Sequence, residues 1–304
     1  MEIIHLDKRK TLKSPVAVAL GYFDGLHTGH QAVISNAVDY AKKNHIKSAV
    51  MTFSTNPKRF LNKSLATNLL TPLTEKTELL EQLGVDLLLI LPFNDEIAKM
   101  KPDEFIKEFL IEQGARYVTT GFDFRFGRNG AGNSYLLKNY EQIFGLNIVP
   151  KMELNALKIG TTQIREYLSQ GDVNKAHHML GRPYSLTGIV VKGRQKGREI
   201  GFPTANIKIN EEYVIPKEGV YAVKVYIDEG EYMGMCNIGH NPTFNYTANL
   251  SIEVNILDFN ADIYGKTIKL EFFERLRGEQ AFNSLEELLE QLTKDRKKTS
   301  QILK

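Results

Sequence analysis

Cysteine is nearly absent, with Cys236 the only one in 304 residues. No intrachain disulfide can form, a reducing compartment is expected, and a small buried thiol beside a strand is the expected role for this side chain. Long apolar runs are missing as well. The longest, Leu87 to Phe93, falls far short of the roughly 20 residues that cross a bilayer. Met1 to Lys8 lacks the apolar centre of a secretory signal. Charge of one sign is also scarce. Lys and Arg number 39 against 36 Asp and Glu, a net charge of +3, too small to call for a nucleic acid or a membrane surface. Neither an internal repeat nor a low-complexity stretch interrupts the chain. The expectation is a cytoplasmic protein, and nothing in the sequence fixes an oligomeric state.

What is present is enough chain for two cores, with the composition of a soluble globular protein: 42% hydrophobic and 25% charged. The first half alternates strands and helices. Apolar strands are expected at Val16 to Leu20, Ser48 to Phe53, Asp86 to Leu91, Tyr117 to Thr120 and Leu146 to Val149. Helices are expected near His30 onward, Thr74 to Leu83, Pro102 to Gln113 and Gln163 to Ser169, two of them ended by Gly84 and Gly114. Such alternation predicts a parallel sheet covered on both faces, with its ligand at the carboxyl ends of the strands.

The pattern changes after Gly181-Arg182-Pro183-Tyr184. Closely spaced strands at Tyr184 to Val191, Gly219 to Tyr226, Tyr232 to Ile238, Ser251 to Leu257 and Lys266 to Leu276 predict a small antiparallel barrel. Ser284 to Leu292 reads as a serine-capped amphipathic helix whose leucines pack in the core, followed by a solvated Lys-Asp-Arg-Lys-Lys end. The expected domains are 1–182 and 183–304.

Chemistry concentrates where strands meet loops. Gly21-Tyr22-Phe23-Asp24-Gly25-Leu26-His27-Thr28-Gly29-His30 follows a buried strand and opens a helix. His27 and His30 thus sit at a helix N-terminus, where free N–H groups and the dipole favour anions such as nucleotide phosphates. By composition H-x-G-H arises by chance on the order of 0.01 times in a chain like this, which makes the motif informative once its strand–loop–helix context agrees. Gly21, Phe23, Asp24 and Gly29 belong to the same candidate nucleotide-binding loop. Further on, Phe122, Phe124 and Phe126 accompany Asp123 just past a strand end, where rings can border a planar ligand or form an ordinary aromatic core. Ile159-Gly160-Thr161-Thr162-Gln163-Ile164-Arg165 places two hydroxyls and an arginine at a helix start, which suits phosphate equally or simply caps the helix.

In the second half Gly193, Gly197, Arg198, Gly201 and Pro203 belong to a glycine-rich basic loop able to wrap phosphates. Thr204 and Asn206, one residue apart, share a face in extended chain and either offer neutral oxygens to Mg²⁺ or simply form a Pro-Thr turn with an asparagine cap. Glu253 is a charged residue in an otherwise apolar strand, with Ile252, Val254 and Ile256 on one face and Glu253, Asn255 and Leu257 on the other. It is either a general base for an attacking hydroxyl or a solvated outer-face carboxylate.

Taken together, G-Y-F-D-G-L-H-T-G-H, F-D-F-R-F-G, T-T-Q-I-R, G-D-V-N-K-A-H-H-M-L-G-R-P-Y, G-R-E-I-G-F-P-T-A-N and E-V-N-I-L-D-F-N-A-D-I-Y-G-K resemble the prokaryotic bifunctional riboflavin kinase and FMN adenylyltransferase (FAD synthetase) family, from about residue 14 to about residue 298. The resemblance implies an N-terminal Rossmann-like nucleotidyltransferase domain that makes FAD from FMN and ATP, releasing pyrophosphate. It implies a C-terminal six-stranded barrel that phosphorylates riboflavin with ATP. It further implies that His27 and His30 contact the ATP phosphates, that Asp123, Thr161, Thr162 and Arg165 serve adenylylation, that Thr204 and Asn206 hold Mg²⁺, and that Glu253 is the base. Three positions depart from the family pattern, all in the first half: Asn56 stands for a usual histidine, Gly160 for a usual serine and Tyr22 for a usual asparagine. A kinase whose N-terminal half is weakened or inactive is therefore the alternative. A non-catalytic flavin-binding regulator is disfavoured because a binder needs no general base. A tRNA-linked H-x-G-H enzyme is disfavoured by the small charge and the absence of an anticodon-binding stretch.

Overall fold

The computed structural model describes residues 1–6, 12, 14–62, 68–154, 156–193, 196–241 and 249–304. It divides into two compact units, Met1–Thr161 and Thr162–Lys304. That division falls two helices before the change of sequence character near residue 182.

The first unit is built on six parallel strands: β1 (Glu2–His5), β2 (Val16–Leu20), β3 (Lys47–Phe53), β4 (Leu87–Leu91), β5 (Ala115–Gly121) and β6 (Gly145–Val149). Their order across the sheet is β1–β4–β3–β2–β5–β6, parallel throughout. Every residue of β2 and β4 is buried, which explains why both read as unbroken apolar runs. On one face Ala17 and Ala19 lie under Val33, Ile34, Ala37, Val38 and Ala41 of helix α1 (Thr28–Asn44). The small alanines let the helix approach closely, and burying Ile34 alone stabilises by about 2 kcal/mol. On the other face Val18 and Leu20 pack with Phe105, Ile106, Phe109 and Leu110. Helix α2 (Leu73–Gln82) precedes β4. The helix expected over Pro102 to Gln113 is present but changes winding, α over Pro102–Ile106 and π over Lys107–Ile111.

From β2 the chain moves through α1 to β3 on one side, whereas β5 flanks β2 on the other. The crevice at the carboxyl ends of β2 and β5 is therefore the switch point of the sheet. Leu20 pairs with Thr120, so the loops that begin at Gly21 and Gly121 leave the sheet side by side.

The second unit starts with helices α3 (Thr161–Gln170) and α4 (Val173–Leu180) and continues into a closed barrel. Its strands are β7 (Tyr184–Val191), β8 (Ala205–Lys208), β9 (Gly219–Ile227), β10 (Gly230–Asn241), β11 (Asn249–Ile256) and β12 (Thr267–Arg277), ordered β7–β8–β11–β10–β9–β12 and closing on β7. Alternate residues fill the interior: Tyr184, Leu186, Tyr221, Val223, Val225, Leu270 and Phe272 are all buried. Cys236 is completely buried among them, and burial pushes its thiol pKa up, as suits an inert core residue.

Helix α5 (Leu285–Leu303) departs from expectation. Ser284 caps it as predicted, its hydroxyl accepting the Glu287 N–H at 3.2 Å. The leucine stripe, however, is only partly buried, and Leu285 is 54% exposed. The Lys-Asp-Arg-Lys-Lys stretch stays helical, since no glycine or proline stops it, and Lys294, Arg296, Lys297 and Lys298 are exposed as expected, whereas Asp295 is not. Asp295 and Thr299 are the buried residues of α5, and Asp295 is bonded to Arg277 Nε at 2.8 Å.

Candidate active sites

The Gly21–His30 loop is held in a conformation few side chains adopt. Phe23, Gly25 and Leu26 have φ of 54°, 80° and 43°. Phe23 is 2% exposed, and its ring lies where a Cβ on Gly21 would meet it at 2.7 Å, so the tight exit from β2 requires glycine there. Asp24, also buried, accepts the N–H groups of Leu70 and Thr71 at 2.9 and 3.2 Å. His27 caps α1, its Nδ1 accepting the His30 N–H at 3.2 Å. The two imidazoles stack with centroids 3.6 Å apart, and Phe23 meets His30 edge-on. A Cβ on Gly29 would lie 3.2 Å from the His27 ring, so little else fits beside the stack.

The electrostatics of this loop favour neutral imidazole at His30. Burial, then the neighbouring His27 and Lys76, hold its pKa well below the usual range. The Nδ1 atom of His30 is buried with no hydrogen-bond partner among the described residues, which leaves bonding capacity for a ligand. Lys76 of α2, which nothing in the sequence singled out, bonds to the Tyr22 carbonyl at 2.8 Å.

Beyond β5, Asp123 is exposed and paired with Lys158 at 2.6 Å, the same ammonium lying 4.8 Å above the Phe122 ring. Phe126 is in the core, its ring against Phe105 and Phe124, so it backs the loop from inside. Asn56 ends the β3 loop, its carbonyl accepting the Phe60 N–H at the start of a short helix, Pro57–Leu61. Thr161 and Thr162 occupy the first turn of α3, among its free N–H groups, with half-buried Arg165 one turn on.

In the barrel the register assembles what the sequence could only propose. Asn206 of β8 pairs with Glu253 of β11, which pairs with Asn237 of β10, so the three side chains share one face in a row. Thr204 donates its hydroxyl to Glu253 Oε2 at 3.2 Å. Asn255, two residues along the same face, donates to the Pro203 carbonyl at 2.7 Å and fixes the turn that presents Thr204. Glu253 is half-buried rather than fully solvated. Gly193 is needed for space, since a Cβ there would fall 2.0 Å from the Asn206 amide. Gly197 touches the Phe202 carbonyl in the same sense, and Gly201 has φ of 79°. Arg194, Gln195 and the Arg198 side chain lie outside the described residues.

Asn237 and Glu279 escaped sequence reasoning. A Cβ on Gly239 would lie 2.0 Å from Glu279 Oε1 and 3.5 Å from the Asn237 amide, which brings a second carboxylate close to the row. A glycine inside a strand was the available signal, because it often marks a close approach.

Residues 9–163 match the family model described as FAD synthetase, and residues 180–303 the one described as riboflavin kinase. A protein of Bacillus subtilis (strain 168), the bifunctional riboflavin kinase/FMN adenylyltransferase, is 41% identical over 296 residues, covering 96% of this chain and 93% of its own. The protein of the same name from Escherichia coli (strain K12) is 33% identical over 282 residues, covering 91% and 90%. A solved structure described as a macrolide-efflux protein from Streptococcus pneumoniae superposes with a TM-score of 0.92 at 34% identity, covering 99% of each chain. Among the described residues of this chain no helix is long and apolar enough to cross a membrane.

Proposed function

The chain belongs to the bifunctional riboflavin kinase/FMN adenylyltransferase family, and from that premise we propose how its residues divide the two reactions. The protein is a riboflavin kinase and an FMN adenylyltransferase, with ATP as co-substrate of both steps. The single-activity alternative is not retained, because both family models match in tandem. Residues 1–182 adenylylate FMN and residues 183–304 phosphorylate riboflavin. The substrates are small molecules met in the cytoplasm, with neither nucleic acid nor membrane involved.

In the kinase Glu253 accepts the proton of the riboflavin hydroxyl as its oxygen attacks the γ-phosphorus, and ADP leaves. The observation that carries this assignment is that Asn206 stands opposite Glu253 on one face while Thr204 donates its hydroxyl to the same carboxylate. Their donors are all hard oxygens, which fits Mg²⁺, and Thr204 and Asn206 would hold it. Mg²⁺ held there would offset the negative charge of the phosphates during transfer. Gly193, Gly197, Gly201 and Pro203 shape the turn that approaches the phosphates, and Arg198 adds charge.

In the adenylyltransferase an FMN phosphate oxygen attacks the α-phosphorus of ATP, the bond to the β-phosphate oxygen breaks, and pyrophosphate leaves. His27 and His30 donate hydrogen bonds to the charge that builds on the α-phosphate, within the turn set by Gly21, Phe23, Asp24 and Gly29. Asp123, Thr161, Thr162 and Arg165 bind substrate, with Phe126 supporting the Asp123 loop.

Glu253→Gln tests the base. It preserves shape, and general-base catalysis contributes on the order of 10²–10⁴ in rate, so FMN formation should fall by that factor while FAD formation from supplied FMN continues. Riboflavin phosphorylation close to the parent rate would reduce Glu253 to a structural residue.

A further inference from the structure

Adenylyl transfer concentrates negative charge in the first unit, yet the imidazole of His30 sits in surroundings that disfavour its charged form. A cation is nevertheless present. Lys76, on α2, is 4% exposed. Its ammonium donates to the Tyr22 carbonyl at 2.8 Å and lies 4.5 Å above the Tyr22 ring. The same carbonyl accepts the Thr52 hydroxyl at 3.0 Å. The loop is thereby fastened from β3 and from α2 at one atom, immediately before Phe23 takes its left-handed conformation.

Burying an ammonium is unfavourable for folding. Its surroundings show what it faces: Asp24 within the loop and His30 of α1. Asp24 is already engaged by two backbone N–H groups. A hydrogen bond to one carbonyl that Thr52 also serves is a weak reason to keep a charge there.

The geometry points to Lys76 as a positioning residue for adenylyl transfer: through the Tyr22 carbonyl it sets the Gly21–His30 turn, and it supplies fixed positive charge behind the stacked imidazoles. The inference rests on the adenylyltransferase reading of this loop. Lys76 acts while protonated. Burial brings its pKa down from 10.5 to about 8, with Asp24 opposing the shift. The charge is therefore present at neutral pH and lost on the alkaline side.

The test measures FAD formation from FMN and ATP between pH 6.5 and 10 for the parent, Lys76→Met and Lys76→Arg, with FMN formation from riboflavin and thermal unfolding as controls. In the parent, kcat/KM for ATP should fall above pH 8, about thirtyfold by pH 9.5, as expected for a group titrating near 8. The limb should stand at higher pH in kcat, because bound ATP favours the ammonium. Lys76→Met should be lower by about 10²-fold at pH 7, the scale for losing one preorganised electrostatic partner, and should lack the limb. Its melting temperature should not fall, since a buried charge is replaced by an apolar chain of similar length. Lys76→Arg should stay active at pH 9.5. If Lys76→Met folds poorly, Lys76→Arg decides alone: a limb still centred near 8 overturns the inference. So does a Lys76→Met variant with near-parent rates, or a parent whose profile is flat from pH 7 to 9.5. A parent that makes no FAD at any pH would instead sink the adenylyltransferase reading itself.

Discussion

His27 and His30 divide two tasks that a single histidine could not combine. His27 spends Nδ1 on capping α1, whereas His30 keeps a buried Nδ1 with no partner among the described residues. Each is proposed to stabilise the α-phosphate, and removing one such donor costs on the order of 10²–10³ in rate. Paired replacement by alanine should abolish FAD formation and leave FMN formation unchanged, which assays of the two activities on one preparation will check; equal loss of both would indicate misfolding. These histidines were legible because the motif, its strand and its helix are contiguous. Lys76, Lys158, Asn237 and Glu279 were not. Each reaches its partner from another element, at a separation of 35 residues or more for Lys158 with Asp123 and Lys76 with Tyr22. No periodicity encodes such a meeting.

At the level of elements, the glycine loop before β8 shows how backbone space serves chemistry. Alanine at Gly193 would put a methyl group 2.0 Å from the Asn206 amide. The amide is the movable end of a side chain, so the barrel should fold, but a displacement near 1 Å in a reacting site costs about 10²-fold. Gly193→Ala is expected to lower riboflavin phosphorylation by that order and raise the metal concentration it needs. FAD formation from supplied FMN would be unaffected, and metal titrations of both activities will check this. Strands β2 and β4 were easily read, since burial on both faces leaves nothing but apolar residues, whereas β1, mostly exposed and with Glu2 and His5 at its ends, was not anticipated. Ala205–Lys208 was harder: four residues ending in lysine carry too little alternation to announce a strand, although the extended conformation of Thr204 to Asn206 was anticipated. In the far half of α5 the solvated reading holds for Lys294, Arg296, Lys297 and Lys298 and fails at one residue. Charge suggested solvent, but Asp295 goes inward to meet Arg277.

For the whole molecule, the two family-model matches, residues 9–163 and 180–303, fall on different architectures, a parallel sheet with a switch-point crevice and a closed barrel. The fold class was legible throughout, because alternation of strand and helix and then closely spaced strands are global patterns that single errors do not disturb. The compact units part between Thr161 and Thr162, whereas the sequence pattern changes near residue 182. The central claim is that one chain performs both reactions in sequence despite Asn56, Gly160 and Tyr22 in its adenylyltransferase half. The most direct measurement incubates purified protein with riboflavin, ATP and Mg²⁺ and resolves the flavins by chromatography over time. Riboflavin should decline, FMN should rise and then be consumed, and FAD should accumulate. FMN that accumulates without FAD, at saturating ATP and FMN, would contradict the account.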